Sequence, residues 1–139
     1  MAETNAQICA RLKDIAINQT NGIQTMESKV GDRKGKISDQ QRRITDLEQE
    51  QRSAEFEKNS ALIAATLGAR SRRPILGAAT SSVMRTRAEV KLSNIRAKLS
   101  SAKSTLSRLV WERDGFQKEL NNFTGNLQTT KAELRRRGC

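Results

Sequence analysis

The chain reads as an all-α protein, a long antiparallel helical hairpin (a coiled coil) folded back on itself near Pro74. Three observations predict this. The first is a pair of heptad ladders. In the second half, residues alternately three and four apart read Leu92, Ile95, Leu99, Ala102, Leu106, Leu109, Arg113, Phe116, Leu120, Phe123, Leu127, Thr130 and Leu134. In the first half the same spacing gives Ile23, Met26, Val30, Arg33, Ile37, Gln40, Ile44, Leu47, Gln51, Ala54, Lys58, Ala61 and Ala65. A sustained repeat of about 3.5 residues marks helices that supercoil against a partner helix.

The second observation is that the two ladders fit each other. Antiparallel helices bring e positions opposite e and g opposite g. With Ile44 opposite Ala102, Glu48 falls by Arg96, Glu50 by Lys98, Glu57 by Lys91, Lys36 by Glu112 and Lys29 by Glu119, against one like-charge contact, Glu55 with Glu89. Each exposed pair contributes only about 0.2–1 kcal/mol, so such pairs select register more than they stabilise. An antiparallel dimer of straight helices, or two helices pairing with other chains, would use similar pairs. The third observation is composition. The chain has 139 residues, room for one domain. Aromatics are 3%, Tyr and His are absent, and mean hydropathy is −0.70. Such a chain lacks the apolar mass for a large globular core and can bury a narrow seam between helices. Arms of about 60 residues would each extend roughly 90 Å. Disorder competes on charge and polarity, and the regular seam of residues 92–134 argues against it.

A single hairpin domain over residues 1–139 divides into arm one (4–67), a basic turn (68–77) and arm two (78–137). Arm one opens with Thr4-Asn-Ala-Gln7, which has the spacing of a capping box. The apolar series Ile8, Leu12, Ile15 follows and meets the Ile23 ladder through an extra step of four, a stutter that locally unwinds a supercoil. Gly22, Gly31 and Gly35 interrupt the arm, each at a cost of about 1 kcal/mol relative to Ala. A break near 31–37, with Ser38-Asp-Gln-Gln41 capping a restarted helix, would give a three- or four-helix bundle, the alternative architecture. In the turn, Gly68 supplies a left-handed helix stop, Pro74 suits a first helical turn and Gly77 loosens the chain. Gly115 and Gly125 weaken arm two, and Gly138 is placed to end it.

Several functions find no support in the sequence. With no His for proton transfer, no nucleophile elbow and no phosphate-cradling glycine loop, the expectation is no enzyme. Neither a cofactor nor a metal is expected, because Cys9 and Cys139 are too few and too far apart in sequence for zinc. In the register above the two cysteines come near each other at the open end of the hairpin. Free thiols are nonetheless expected there, since a reducing compartment opposes disulfides. Met1 to Leu12 lacks a basic start followed by an apolar stretch. The longest uncharged runs, 59–69 and 74–84, fall short of the ~20 residues a membrane span needs. The expected location is therefore intracellular (cytoplasmic) or within a virion. Asn18-Gln-Thr and Asn122-Phe-Thr match the glycosylation pattern by chance on this reading.

Charge is concentrated. Within residues 60–103, Arg70, Arg72, Arg73, Arg85, Arg87, Lys91, Arg96, Lys98 and Lys103 stand against the single Glu89, nine cations to one anion, a net +8 of the chain's +11. Arg70, Arg72, Arg73, Arg85 and Arg87 are the candidate contacts for an anionic partner: nucleic acid, where binding would depend steeply on salt, an acidic protein, or lipid headgroups. Against nucleic acid, Lys91, Arg96 and Lys98 are assigned to intramolecular pairs, and no aromatics are interleaved for base stacking. A solvated basic face is the plainer reading. Arg135, Arg136 and Arg137 form a second patch that also suits a helix C-terminus.

The face opposite the seam is uncharged where a lone hairpin should be most polar. The f column of arm two reads Val83, Val90, Ala97, Ser104 and Trp111, and arm one adds Phe56, Ile63 and Leu67. Contiguous apolar exposure marks an interface. Trp111, Val90, Val83, Phe56 and Ile63 are the candidate docking residues, Trp111 foremost because Trp is enriched at binding hot spots. Scattered neutral residues are the bland alternative. Long basic helical hairpins of this kind resemble, in architecture, the coiled-coil stalks and adaptors of secretion machines and minor structural proteins of viruses. Three classes of function follow as expectations. The first is a structural component that docks into a larger assembly of protein subunits or self-associates, the second a nucleic-acid-associated basic protein. The third is a membrane-surface or export-adaptor hairpin using Leu62, Ile63, Leu67, Ile75 and Leu76 beside the cations.

Overall fold

The structure is a computed structural model of the chain. It describes the backbone of residues 2–69 and 74–139 and the side chains of residues 2–63 and 83–139. Two helices, α1 (Asn5–Ala69) and α2 (Pro74–Arg136), pack against each other as an all-α hairpin, and no strand occurs among the described residues.

Both capping signals operate. Thr4 N donates to Gln7 Oε1 at 2.9 Å and Gln7 N to Thr4 Oγ1 at 3.2 Å, the reciprocal bonds of a capping box. At the other end Gly138 adopts φ 71°, Gly138 N donates to Arg135 O at 3.1 Å and Cys139 N to Leu134 O at 3.0 Å. That is a Schellman motif, which a Cβ at residue 138 would strain.

The seam runs where the heptads place it. Every ladder residue whose side chain is described is buried or half-buried. The chain divides into two compact units, residues 1–37 with 108–139, and residues 38–107. The core of the 38–107 unit is Ile44, Leu47, Ala54, Leu92, Ile95, Leu99 and Ala102, with Leu106 packed against it. Gln40 sits in this seam because its Nε2 donates to Ala102 O at 3.0 Å, which satisfies a polar group at a half-buried position. In the other unit Met26, Val30, Ile37, Leu109 and Thr130 are buried, and Thr130 Oγ1 donates to Asn126 O.

Four expectations need correction. First, α1 is unbroken through residues 31–37, so the three- or four-helix bundle does not form. Val30 and Ile37 are 4% and 5% exposed on either side of the glycines, and their burial outweighs the weak helix propensity between them. Second, there is no stutter. The half-buried series is Leu12, Ala16, Gln19, Ile23, a continuous alternation of four and three, while Ile15 is 38% exposed. Third, Gly68 and Gly77 lie inside the helices, so α1 does not stop at Gly68 and the connection is shorter than 68–77.

Fourth, Cys9 and Cys139 are not free thiols but a disulfide, with their Cα atoms 5.8 Å apart. The fold-back delivers the two residues within the 4.4–6.8 Å that a disulfide needs.

Candidate docking surface

The 38–107 unit is a two-helix layer whose seam accepts the Leu, Ile and Ala side chains and nothing larger from its outer face. Phe56 and Ile63, one heptad apart on α1, therefore stay in water at 73% and 61% exposure. Val83 and Val90, one heptad apart on α2, do likewise, Val90 at 56%. Met84 is exposed beside them. Phe56 and Met84 meet across a groove whose other walls are Glu57, Ser60 and Arg87. Met84 escaped the sequence reading because it occupies a flanking heptad position. The signal was a methionine where the next two heptads place Lys91 and Lys98.

Charges around this face are partly spent inside the molecule. Lys91 Nζ reaches Glu57 at 3.5 Å, the interhelical pair the register predicts. Glu89, expected to clash with Glu55, is instead met by Arg85 at 3.1 Å and Lys58 at 3.9 Å. No ion pair joins Glu48 to Arg96 or Glu50 to Lys98 among the described residues. Of the candidate anion-binding residues, Arg85 is therefore engaged with Glu89. Arg87 is exposed and has no ion-pair partner among the described residues. Arg70, Arg72 and Arg73 lie outside the described residues.

The unit of residues 1–37 and 108–139 carries a different surface. Trp111 is 77% exposed, and it belongs to this unit and not to the one bearing Phe56, Ile63, Val83 and Val90. Arg33 Nε lies 2.6 Å from a Glu112 carboxylate oxygen, an ion pair without hydrogen-bond geometry. Lys29 and Arg33 stand 5.3 and 5.6 Å from the Phe116 ring centre, a cation–π pair that replaces the expected Lys29–Glu119 contact. Lys36 turns to Asp32 at 3.4 Å instead of Glu112.

At the open end, Asn5 Nδ2 donates to Arg137 O at 3.3 Å beside the disulfide. Hydrogen bonds from Arg136 and Arg137 hold the Glu133 carboxyl down to about 2 from an ordinary 4.5.

Among the described residues no group of three or more His, Cys, Asp or Glu side chains could hold a metal ion, and no helix is long and apolar enough to cross a membrane. Fold and surface together define a helical hairpin with an exposed apolar face. No protein-family model matches the chain, and no curated protein or solved structure is significantly similar to it.

Proposed function

We propose that this chain is a non-enzymatic assembly component, a coiled-coil hairpin that docks as a strut or minor component in a larger multi-chain complex, inside a cell or within a virion. The observation that supports this reading is the set of large apolar side chains left exposed on the outer sides of both helices of the 38–107 unit. Phe56, Ile63, Val83, Met84 and Val90 are exposed on a two-helix layer whose own seam is already filled. Covering one such Phe, Val or Ile contributes roughly 1.5–3 kcal/mol, so partners that cover the outer sides of the two helices would gain enough to associate.

The test is the size of the particle that carries the chain in extracts of its source. The wild-type chain should sediment with a large complex. The double variant Phe56→Asp, Val90→Asp should sediment alone with unchanged helicity by circular dichroism. A wild-type chain that always sediments alone would sink the proposal.

A nucleic-acid-associated role is the second reading. It is favoured by Arg87, Arg96, Lys98 and Lys103, all exposed and without ion-pair partners among the described residues. It predicts duplex binding that weakens steeply between about 50 and 200 mM salt.

A further inference from the structure

The open end of the hairpin has a thin seam. In the unit of residues 1–37 and 108–139 the buried apolar side chains are Met26, Val30, Ile37 and Leu109. Between Met26 and the bridge on α1, and between Leu109 and the bridge on α2, Thr130 is the one buried side chain among the described residues. Ile8, Leu12, Ala16, Gln19 and Ile23 are only half-buried there, and Gln19 Oε1 is buried without a hydrogen-bond partner. A seam with little fully buried apolar surface and an orphaned polar atom holds its helices less firmly than a packed one. The Cys9–Cys139 disulfide is therefore the main tie at this end, with the Asn5 to Arg137 hydrogen bond beside it.

That tie is open to attack from one side. Cys139 is exposed whereas Cys9 is half-buried, and Cys139 lines an open groove of 460 Å³ with Lys131, Leu134 and Arg135. The charged side chains of residues 1–14 and 131–139 are Arg11, Lys13, Lys131, Arg135, Arg136 and Arg137 against Glu3, Asp14 and Glu133, six cations to three carboxylates. Glu3 is met by Arg11 at 3.1 Å, and Glu133 is clasped by Arg136 and Arg137. Asp14 has no ion pair among the described residues, but it occupies the heptad position farthest from the seam and does not line the groove. Lys131 and Arg135, on the groove wall, are likewise without ion-pair partners among the described residues. The attacking species in disulfide exchange is a thiolate, an anion, so unpaired cations beside Cys139 favour its approach. Exposed disulfides belong to the labile class.

We infer that the Cys9–Cys139 bridge is a redox latch, opened by small thiols that attack Cys139. The sulfur of the incoming thiolate bonds to Cys139 Sγ, the bond between the two Sγ atoms breaks, and its electron pair leaves on Cys9, whose thiolate takes a proton from water. The product is a mixed disulfide at Cys139 and a free thiol at Cys9. Attack by Cys9 on that mixed disulfide expels the small thiol and closes the latch again. Attack by a second small thiol instead carries the first away as a disulfide and leaves Cys139 free. Once the latch is open, the thin seam separates and bares Ile8, Leu12, Leu127 and Leu134. The inference is independent of the docking role, in which neither cysteine takes part.

The probe is reduced glutathione, added to the oxidised full chain and stopped with acid at short times. Mass mapping of the fragments should find the adduct on Cys139 at least fivefold more often than on Cys9. The double variant Lys131→Gln, Arg135→Gln, two changes on the groove wall that keep the circular dichroism spectrum, should form it at least threefold more slowly at low salt. Hydrogen exchange reads the opening. In the reduced chain the amides of residues 5–20 and 125–136 should exchange at least tenfold faster than in the oxidised one, while those of residues 92–102 keep their rate.

Adducts spread equally over both cysteines, or a rate indifferent to the double variant, overturn Cys139 as the point of entry. End amides that exchange no faster on reduction overturn the latch. So does a chain that still offers two thiols to N-ethylmaleimide after exposure to glutathione disulfide, since the bridge then does not close.

Discussion

A Cβ on Gly22 would lie 2.8 Å from Cε1 of Phe123, closer than a Cβ comes to a neighbouring atom in folded proteins, whereas Gly31, Gly35, Gly115 and Gly125 face open space. The heptads locate all five and cannot separate them, because the distinction belongs to the facing helix. Gly22→Ala should therefore destabilise the protein by about 1 kcal/mol, the overpacking cost exceeding the gain in helix propensity. Gly115→Ala should stabilise it by about 1 kcal/mol. Urea unfolding of the two variants checks both, and a stabilising Gly22→Ala would mean that Phe123 does not pack there.

Glu133 gives a pH dependence of defined sign. Its carboxyl titrates lower in the folded chain, about 2 against an ordinary 4.5, because Arg136 and then Arg137 hydrogen-bond it. A depressed carboxylate stabilises the fold above its unfolded value and loses that contribution as pH falls through the folded one. The Glu133 carboxyl resonance should titrate near 2. Glu133→Gln should remove the part of the acid destabilisation that develops between about 4.5 and about 2. A Glu133 that titrates at its ordinary value would show that the arginine clasp does not persist in solution.

Among the elements, the seam was legible because the strongest apolar residues fall on it. Leu92, Ile95 and Leu99 are 2%, 3% and 6% exposed, as their spacing demands. Leu99→Ala should accordingly cost about 2–5 kcal/mol, the range for a buried leucine. A loss below about 1 kcal/mol in urea unfolding would contradict its place in the core.

Legibility failed where periodicity and hydrophobicity part company. Ala16 and Gln19 continue the heptad, yet one is small and the other polar, so Ile15 drew the reading away from them. Gln19 Oε1 is buried there without a hydrogen-bond partner. The charge pairs were harder still. Glu57 with Lys91 forms as the register predicts, but Lys29 prefers the face of Phe116 and Lys36 its own helix neighbour Asp32. Long side chains at the surface choose among partners that differ by tenths of a kcal/mol, and heptad letters carry no information at that scale. The exposed apolar residues were readable as a column of uncharged positions. That Trp111 belongs to a separate unit from Phe56 and Val90, and that Met84 joins Phe56, required coordinates.

At the scale of the whole molecule the disulfide is the largest departure from expectation. It ties residues 130 apart in sequence. In the chain-entropy account, closing so long a loop removes denatured-state freedom worth about 4–5 kcal/mol, less any strain in the native state. Reduction should lower the melting temperature by roughly 10–20 °C. Cys9→Ser should show the same lowered value with no further response to reductant. A melting temperature unmoved by reductant would mean that the bridge is absent or contributes nothing.

The bridge also changes what kind of object the backbone is. Between Cys9 and Cys139 the chain is a closed circle, so the peptide link at residues 70–73 is one of two covalent ties between the helices. A single cut in that link by a trypsin-like protease, after Arg70 or Arg72 because the bond from Arg73 to Pro74 resists such enzymes, would leave a single species on a non-reducing gel and two on a reducing one.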